Sequence, residues 1–131
     1  MDPNLSAARQ HVSLAQEALD AARLLRDSGL TRSSIDRAYY AAFHGASALL
    51  ASVGIYPGTH DGVIAMLSLH FVKPGALPAT TGKDLQHLYN QRLIADYKGY
   101  LEQDIGEAQA CVAVAEVILT ACLARLPEAT G

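Results

Sequence analysis

The sequence predicts an all-α fold, an up-and-down bundle of four to five helices forming one domain over residues 1–131. Three observations predict it. Apolar residues recur at alternating steps of three and four, the period of a helix with one buried face. No segment alternates apolar and polar residues as a half-buried strand does. Breakers gather at Gly29, at Gly54 to Gly58 with Pro57, and at Lys73-Pro74-Gly75, which divides the chain into helix-sized pieces.

The first helix is amphipathic: Leu5, Ala8, Val12, Ala15, Leu19 and Ala22 lie on one face, while Arg9, Gln16, Glu17, Asp20, Arg23 and Asp27 face away. Gly29 ends it. A second helix starts near Thr31 or Ser33, either of which suits a cap, and runs to Val53. Thr59 caps a third, whose apolar face runs through Val63, Met66, Leu67 and Phe71 and which stops at Lys73. The stretch Lys73 to Lys83, with two prolines and two glycines, reads as the longest irregular and most mobile loop. A fourth helix follows from Asp84 to about Tyr97, and a fifth from Glu102 or Asp104 to Leu126, ended by Pro127.

Composition narrows the function classes. Half of the 131 residues are apolar and 18% carry a charge, which excludes a disordered tail and suffices for a core without disulfides. Ten basic against thirteen acidic residues give a net charge of -3, which excludes a broad nucleic-acid-coating face; any such site is local. Cys111 and Cys122 lie about 16 Å apart along one helix, beyond disulfide reach. With no leader-like pattern at Met1 to Ser6, they suggest a reducing, cytoplasmic setting. Ala108 to Leu126 is apolar enough to resemble a membrane span, but Glu116 at its centre and its alanine content favour a buried helix and no membrane partner. Ala38 to Val53 also lacks a formal charge. Two such helices exceed what a small monomer usually encloses, so part of this surface is expected to meet a second copy in a homodimer.

The second helix carries a polar stripe. With Arg37 at zero, Ser33, Tyr40, His44 and Ser47 fall at about -40°, -60°, -20° and -80° around the axis. Apolar residues surround them: Ala38, Ala41, Ala42, Phe43, Ala46, Leu49 and Leu50. An Arg and a His two turns apart can hold one anionic group, through a guanidinium fork and an imidazole that exchanges protons near neutrality. That chemistry suits RNA cleavage without a metal: His takes the 2'-hydroxyl proton and Arg stabilises the phosphoryl oxygens. The same spacing also fits a buried ion-pair donor and a satisfied core histidine, and both accounts stand at this point.

The run Asp36-Arg37-Ala38-Tyr39-Tyr40-Ala41-Ala42-Phe43-His44-Gly45-Ala46-Ser47-Ala48-Leu49-Leu50 resembles the signature helix of the HEPN family (higher eukaryotes and prokaryotes nucleotide-binding), in its subgroup of small bacterial and archaeal stand-alone proteins. Gly58-Thr59-His60-Asp61-Gly62-Val63-Ile64 resembles that subgroup's third-helix start, and Arg92-Leu93-Ile94-Ala95-Asp96-Tyr97 its Arg-x-x-Ala-Asp-Tyr element. The similarity spans about Leu5 to Leu126. It implies a HEPN-like helical bundle that dimerises and is often encoded beside a minimal nucleotidyltransferase as a toxin and antitoxin pair. It also implies a ribonuclease site with Arg and His four to six residues apart, arranged across the dimer interface; Arg37 and His44 enclose six. Two positions depart from the pattern: Ala38 stands where a polar residue often follows the Arg, and Ala46 where some members carry an adenylylated tyrosine.

The expected site therefore has Arg37 and His44 as catalytic residues, with Ser33, Tyr40, Ser47, Arg92, Asp96 and Tyr97 in support and RNA as substrate. Arg92 and Asp96 also fit a plain i,i+4 surface pair, or a pair packed on the stripe with Asp96 orienting His44 or Arg37. Tyr89 and Tyr100 fit either base stacking or ordinary amphipathic packing. His60, His70 and His87 are spaced wrongly for a compact metal site, and no Gly-rich phosphate loop follows a strand, so neither metal nor cofactor is expected. The alternative to a ribonuclease is a non-catalytic subunit that binds a nucleotide or a minimal nucleotidyltransferase through the same stripe.

Overall fold

The computed structural model describes residues 2–97 and 105–127. It contains α1 (Pro3–Asp27), α2 (Thr31–Ser52), α3 (His60–Leu67) continuing into a π-helical turn (Ser68–Val72), α4 (Thr81–Tyr97) and α5 (Ile105–Ala124). None of the described residues is in a strand.

Helix α1 starts at Pro3, ahead of the first apolar position. The Asp2 carboxylate accepts from the Asn4 N–H at 2.8 Å, and proline's fixed φ suits a first turn. At the other end the Leu30 N–H reaches the Leu25 carbonyl and the Gly29 N–H that of Arg26, with Gly29 at φ 76°. This left-handed closure needs a residue without Cβ. The same pair of bonds, Ile55 to Leu50 and Gly54 to Ala51, closes α2.

Neither Thr31 nor Ser33 caps α2. Leu30 occupies the cap position without a side-chain bond, because the closure of α1 runs directly into the next helix. The hydroxyl that matters is Ser34, fully buried and donating to the Ala22 carbonyl of α1 at 2.8 Å. Thr59 does cap α3, its Oγ1 accepting from the Gly62 N–H. The third helix ends before Pro74 as expected, but its last turn widens: the Lys73 N–H bonds the Ser68 carbonyl, five residues back. Helix α4 begins at Thr81 rather than Asp84. The Thr80 carbonyl accepts from the Asp84 N–H while the Thr80 hydroxyl donates to the Asp84 carboxylate, so the threonine pair opens the helix and shortens the irregular segment.

Helix α2 is the axle of the bundle, packed against α1, α3, α4 and α5. Thirteen of its 22 residues are buried. Alanines at 38, 41, 42, 46 and 48 of α2 and at 8, 15, 18 and 22 of α1 are buried where the helices pack, and such small side chains let helix axes approach closely. The chain thus covers most of the apolar residues of α2 by itself, while α5 keeps an open apolar side. Helix α5 is long and apolar enough to cross a membrane, yet it buries Ala108, Cys111, Val112, Ala115, Ile118, Leu119 and Cys122 in the bundle. Its mid-helix Glu116 pairs with Arg23 of α1 at 2.8 Å. Its other side is open, with Val117 62% exposed. Both cysteines are free and buried, and burial pushes the Cys111 thiol up to about 11 and the Cys122 thiol up to about 12.

Where α2 crosses α5, a Cβ on Gly45 would lie 2.8 Å from Leu119 Cδ1 and 3.5 Å from its Cα. Leu119 is itself buried, so it has little room to yield. Helix propensity favours replacing a glycine by about 1 kcal/mol, whereas overpacking a core costs about 1–3 kcal/mol. We expect Gly45→Val to lower the melting temperature by several degrees, and Gly45→Ala by less, in thermal melts followed by circular dichroism.

Candidate functional site

The stripe on α2 faces two neighbours. At its N-terminal end, an open groove of about 520 Å³ runs between α2 and α4, lined by Arg32, Ser33, Asp36, Arg37, Ala95 and Asp96 among others. Asp36 is its electrostatic centre. One carboxylate oxygen meets Arg37 at 3.1 Å and the other meets Arg92 of α4 at 3.0 Å. Arg92 also lies 3.8 Å from Asp96 one turn along α4. Three guanidiniums and two carboxylates thus share this region. Arg32 and Ser33 are exposed at the groove's edge.

Tyr40 links the groove to the histidine. Side chains on a helix lean toward its N-terminus, so His44 tilts back over Tyr40 and Tyr40 over Arg37. The Arg37 guanidinium lies 4.8 Å from the Tyr40 ring centroid, and that of Arg92 lies 5.1 Å from it. The Tyr40 and His44 rings stack at 6.2 Å with 29° between planes. Cation, phenol and imidazole form one continuous row.

His44 has a partner that the sequence reading did not single out. Its Nδ1 lies 3.0 Å from Nδ1 of His11 on α1. Burial, then the His11 and Arg37 charges, hold His44 below the usual imidazole pKa of 6.5, and burial lowers His11 as well. Asp96, weighed as a partner for His44, instead sits in the groove beside Arg92. Ser47 is buried one turn beyond His44, outside the groove lining. The Tyr97 side chain and Tyr100 lie outside the described residues. Ala38, where a polar residue often follows the Arg, is fully buried among the packed helices, which accounts for an apolar side chain there.

A second cluster lies on the Tyr39 side of α2. The Tyr39 hydroxyl and His60 Nδ1 are 2.8 Å apart, and the His60 ring stacks on Tyr89 at 3.8 Å. Tyr89 therefore serves packing between α3 and α4. Burial raises the Tyr39 phenol pKa and lowers that of His60, with Gln86 and Asp61 opposing the second shift. Among the described residues, no three His, Cys, Asp or Glu side chains gather closely enough to hold a metal ion.

Three of the site's groups were missed, His11, Asp36 and Arg32, and the first two had a signal. His11 falls three after Ala8 and four before Ala15, inside the buried stripe of α1. Asp36 adjoins Arg37, and the one acid on a helix whose other charges are Arg32 and Arg37 is a candidate partner.

The HEPN domain family model matches residues 8–126. The chain belongs to the HEPN domain family. A UPF0332 protein of Pyrococcus horikoshii is 46% identical over 78 residues, covering 60% of this chain and 55% of the relative. A protein of Methanocaldococcus jannaschii named a "putative toxin" is 42% identical over 86 residues, 66% of this chain and 64% of its own. A UPF0332 protein of Thermotoga maritima is 34% identical over 107 residues, 82% of this chain and 81% of its own. The matches to the first two span less than two thirds of those relatives' lengths.

The histidine shifts of this HEPN domain carry a pH dependence. The unfolded chain binds protons at these residues near pH 6.5, whereas the folded chain takes them only at lower pH. In that window the unfolded state holds more protons, so stability rises with pH. It is full above about pH 6.5 and declines as the pH falls through the lowered values of His11, His44 and His60. Thermal melts between pH 7.5 and 5 should show a falling midpoint, with a shallower slope for His60→Gln.

Proposed function

We propose that this HEPN domain is a toxin-like ribonuclease that cleaves RNA through Arg37 and His44 without a metal ion. The observation that carries the reading is the row Arg37–Tyr40–His44, which joins a cationic groove to an imidazole kept neutral by burial. A neutral imidazole near pH 7 can act as a base, and a guanidinium can fork two phosphoryl oxygens. The name of the Methanocaldococcus relative agrees with a toxin role.

The step is an internal displacement. His44 Nε2 takes the proton from a ribose 2'-hydroxyl as that oxygen bonds to the adjacent phosphorus, and the bond from phosphorus to the 5'-oxygen breaks. A proton from water or from a second copy's site goes to the leaving 5'-oxygen, leaving a 2',3'-cyclic phosphate and a 5'-hydroxyl. Arg37 stabilises the charge on the non-bridging oxygens. Arg32 and Arg92 draw the flanking backbone in, while Ser33 and Tyr40 hold the row in place. To reach a phosphate, Arg37 must release Asp36. That exchange favours an anion over an uncharged ligand.

Purified protein in chelator is expected to cleave a single-stranded RNA to cyclic-phosphate ends, with Arg37→Ala and His44→Ala each slowing it at least a hundredfold. Cleavage by the double variant at the wild-type rate would sink the assignment. One observation favours the second reading, a non-catalytic subunit binding a nucleotide or a minimal nucleotidyltransferase: Asp36 already holds both Arg37 and Arg92. It would be supported by nucleotide or partner binding in a protein that cleaves no RNA.

A homodimer in a cytoplasmic setting belongs to the same proposal. Light scattering should give twice the chain mass, and Ala113→Arg or Val117→Arg should reduce it if the open side of α5 is the contact. Glu116 is unsuitable for this test, because replacing it also breaks the Arg23 pair.

A further inference from the structure

We propose that His11 is a positioning residue that decides which ring nitrogen of His44 carries a proton, and so whether His44 is poised as base or as acid. The proposal rests on the reading of His44 as the proton-transfer group.

The two Nδ1 atoms are 3.0 Å apart and the ring centroids 5.3 Å. A neutral imidazole has one N–H, so a hydrogen bond between two Nδ1 atoms makes one ring the donor and the other the acceptor. If His44 donates, its Nε2 is bare and can take a proton, while His11 keeps its own on Nε2. If His11 donates, His44 carries its proton on Nε2 and can only give one. Two protonated rings would point N–H at N–H across 3.0 Å, so the link survives the pair's first proton and not its second.

The pair can therefore convert His44 from base to acid with neither ring rotating. A proton arrives at His44 Nε2, the shared proton shifts from His44 Nδ1 to His11 Nδ1, and His11 releases its Nε2 proton to solvent. One proton enters and one leaves, and both rings end neutral. Position 11 lies in an α1 stripe otherwise made of Ala8, Ala15, Ala18, Leu19 and Ala22, where packing alone calls for an apolar side chain. The groups acting on His44 are few among the described residues: His11 from α1, Arg37 of its own helix and the stacked Tyr40 ring. Helix α4 brings Arg92 to the Tyr40 ring, and α5 meets the neighbouring Gly45 with Leu119.

Long-range proton–nitrogen spectra of the imidazoles in nitrogen-15-labelled protein, from pH 5 to 8, test this without RNA. In wild type, His11 and His44 should titrate as a pair in two separated steps, with a hydrogen-bonded Nδ1 on each ring. His11→Leu should leave His44 titrating alone with a changed tautomer. His11→Gln, which keeps a polar partner in similar volume, should collapse the two steps to one while retaining the hydrogen bond at His44 Nδ1. Where wild type cleaves RNA, His11→Leu should slow it at least tenfold and displace the pH–rate profile, and His11→Gln should recover part of the rate. Unchanged His44 shifts and titration in either folded variant overturn the proposal whatever the RNA assay gives. Absence of cleavage in wild type overturns the ribonuclease reading, while the spectra still decide the coupling.

Discussion

The arrangement of this HEPN domain depends on α2 being packed against four other helices of its own chain. Its packed face is shut from water, so each polar group buried there must find a partner in a neighbouring helix or leave one unmade at a cost of about 1–3 kcal/mol. The partners come from different elements. Ser34 bonds the α1 backbone, Asp36 reaches Arg92 on α4, the Tyr39 hydroxyl meets His60 on α3, and His44 meets His11 on α1. These four contacts fix how α1, α3 and α4 sit around the axle. The same contacts that orient the helices also orient the candidate site.

The small side chains of α2 make that arrangement possible. Alanine at most contact positions brings neighbouring backbones close, so short polar side chains such as Ser34 span the gap directly. It also leaves little slack: at Gly45, α2 has no room for a Cβ against Leu119 of α5. A core packed this tightly gives the side chains buried in it few alternative positions.

Much of this was legible in the sequence because helical period and breaker residues are local properties. The five helices, the Thr59 cap and the stop before Pro74 follow from residues within one turn of each boundary. The polar stripe was legible for the same reason, since angles around one helix depend on that helix alone. Partners across helices were not legible. Arg92 reads equally well as a surface pair with Asp96 until α4 is laid against α2, and only then does Asp36 become its nearer ligand. Ser34 and Ser33 differ by one position, and tertiary packing alone decides which hydroxyl is buried. The start of α2 was misjudged because the cap rule presumes a free turn before a helix, whereas here the closing motif of α1 occupies it.

The acidity of the chain takes on a local meaning at the groove. Arg32, Arg37 and Arg92 against Asp36 and Asp96 leave one positive charge in excess there, inside a chain whose net charge is -3. Such a balance suits one phosphate more than a long polyanion, because distant phosphates meet a neutral or acidic surface. Asp36 sharpens this further. While it holds both guanidiniums the groove is internally satisfied, and an incoming group must offer them at least as good a bond as a carboxylate does. A phosphate with two free oxygens meets that condition; a neutral sugar or base edge does not. On the proposed reading, selectivity for the RNA backbone then arises from an acidic residue in the site, and the overall negative charge confines binding to the groove that Tyr40 links to the histidine pair.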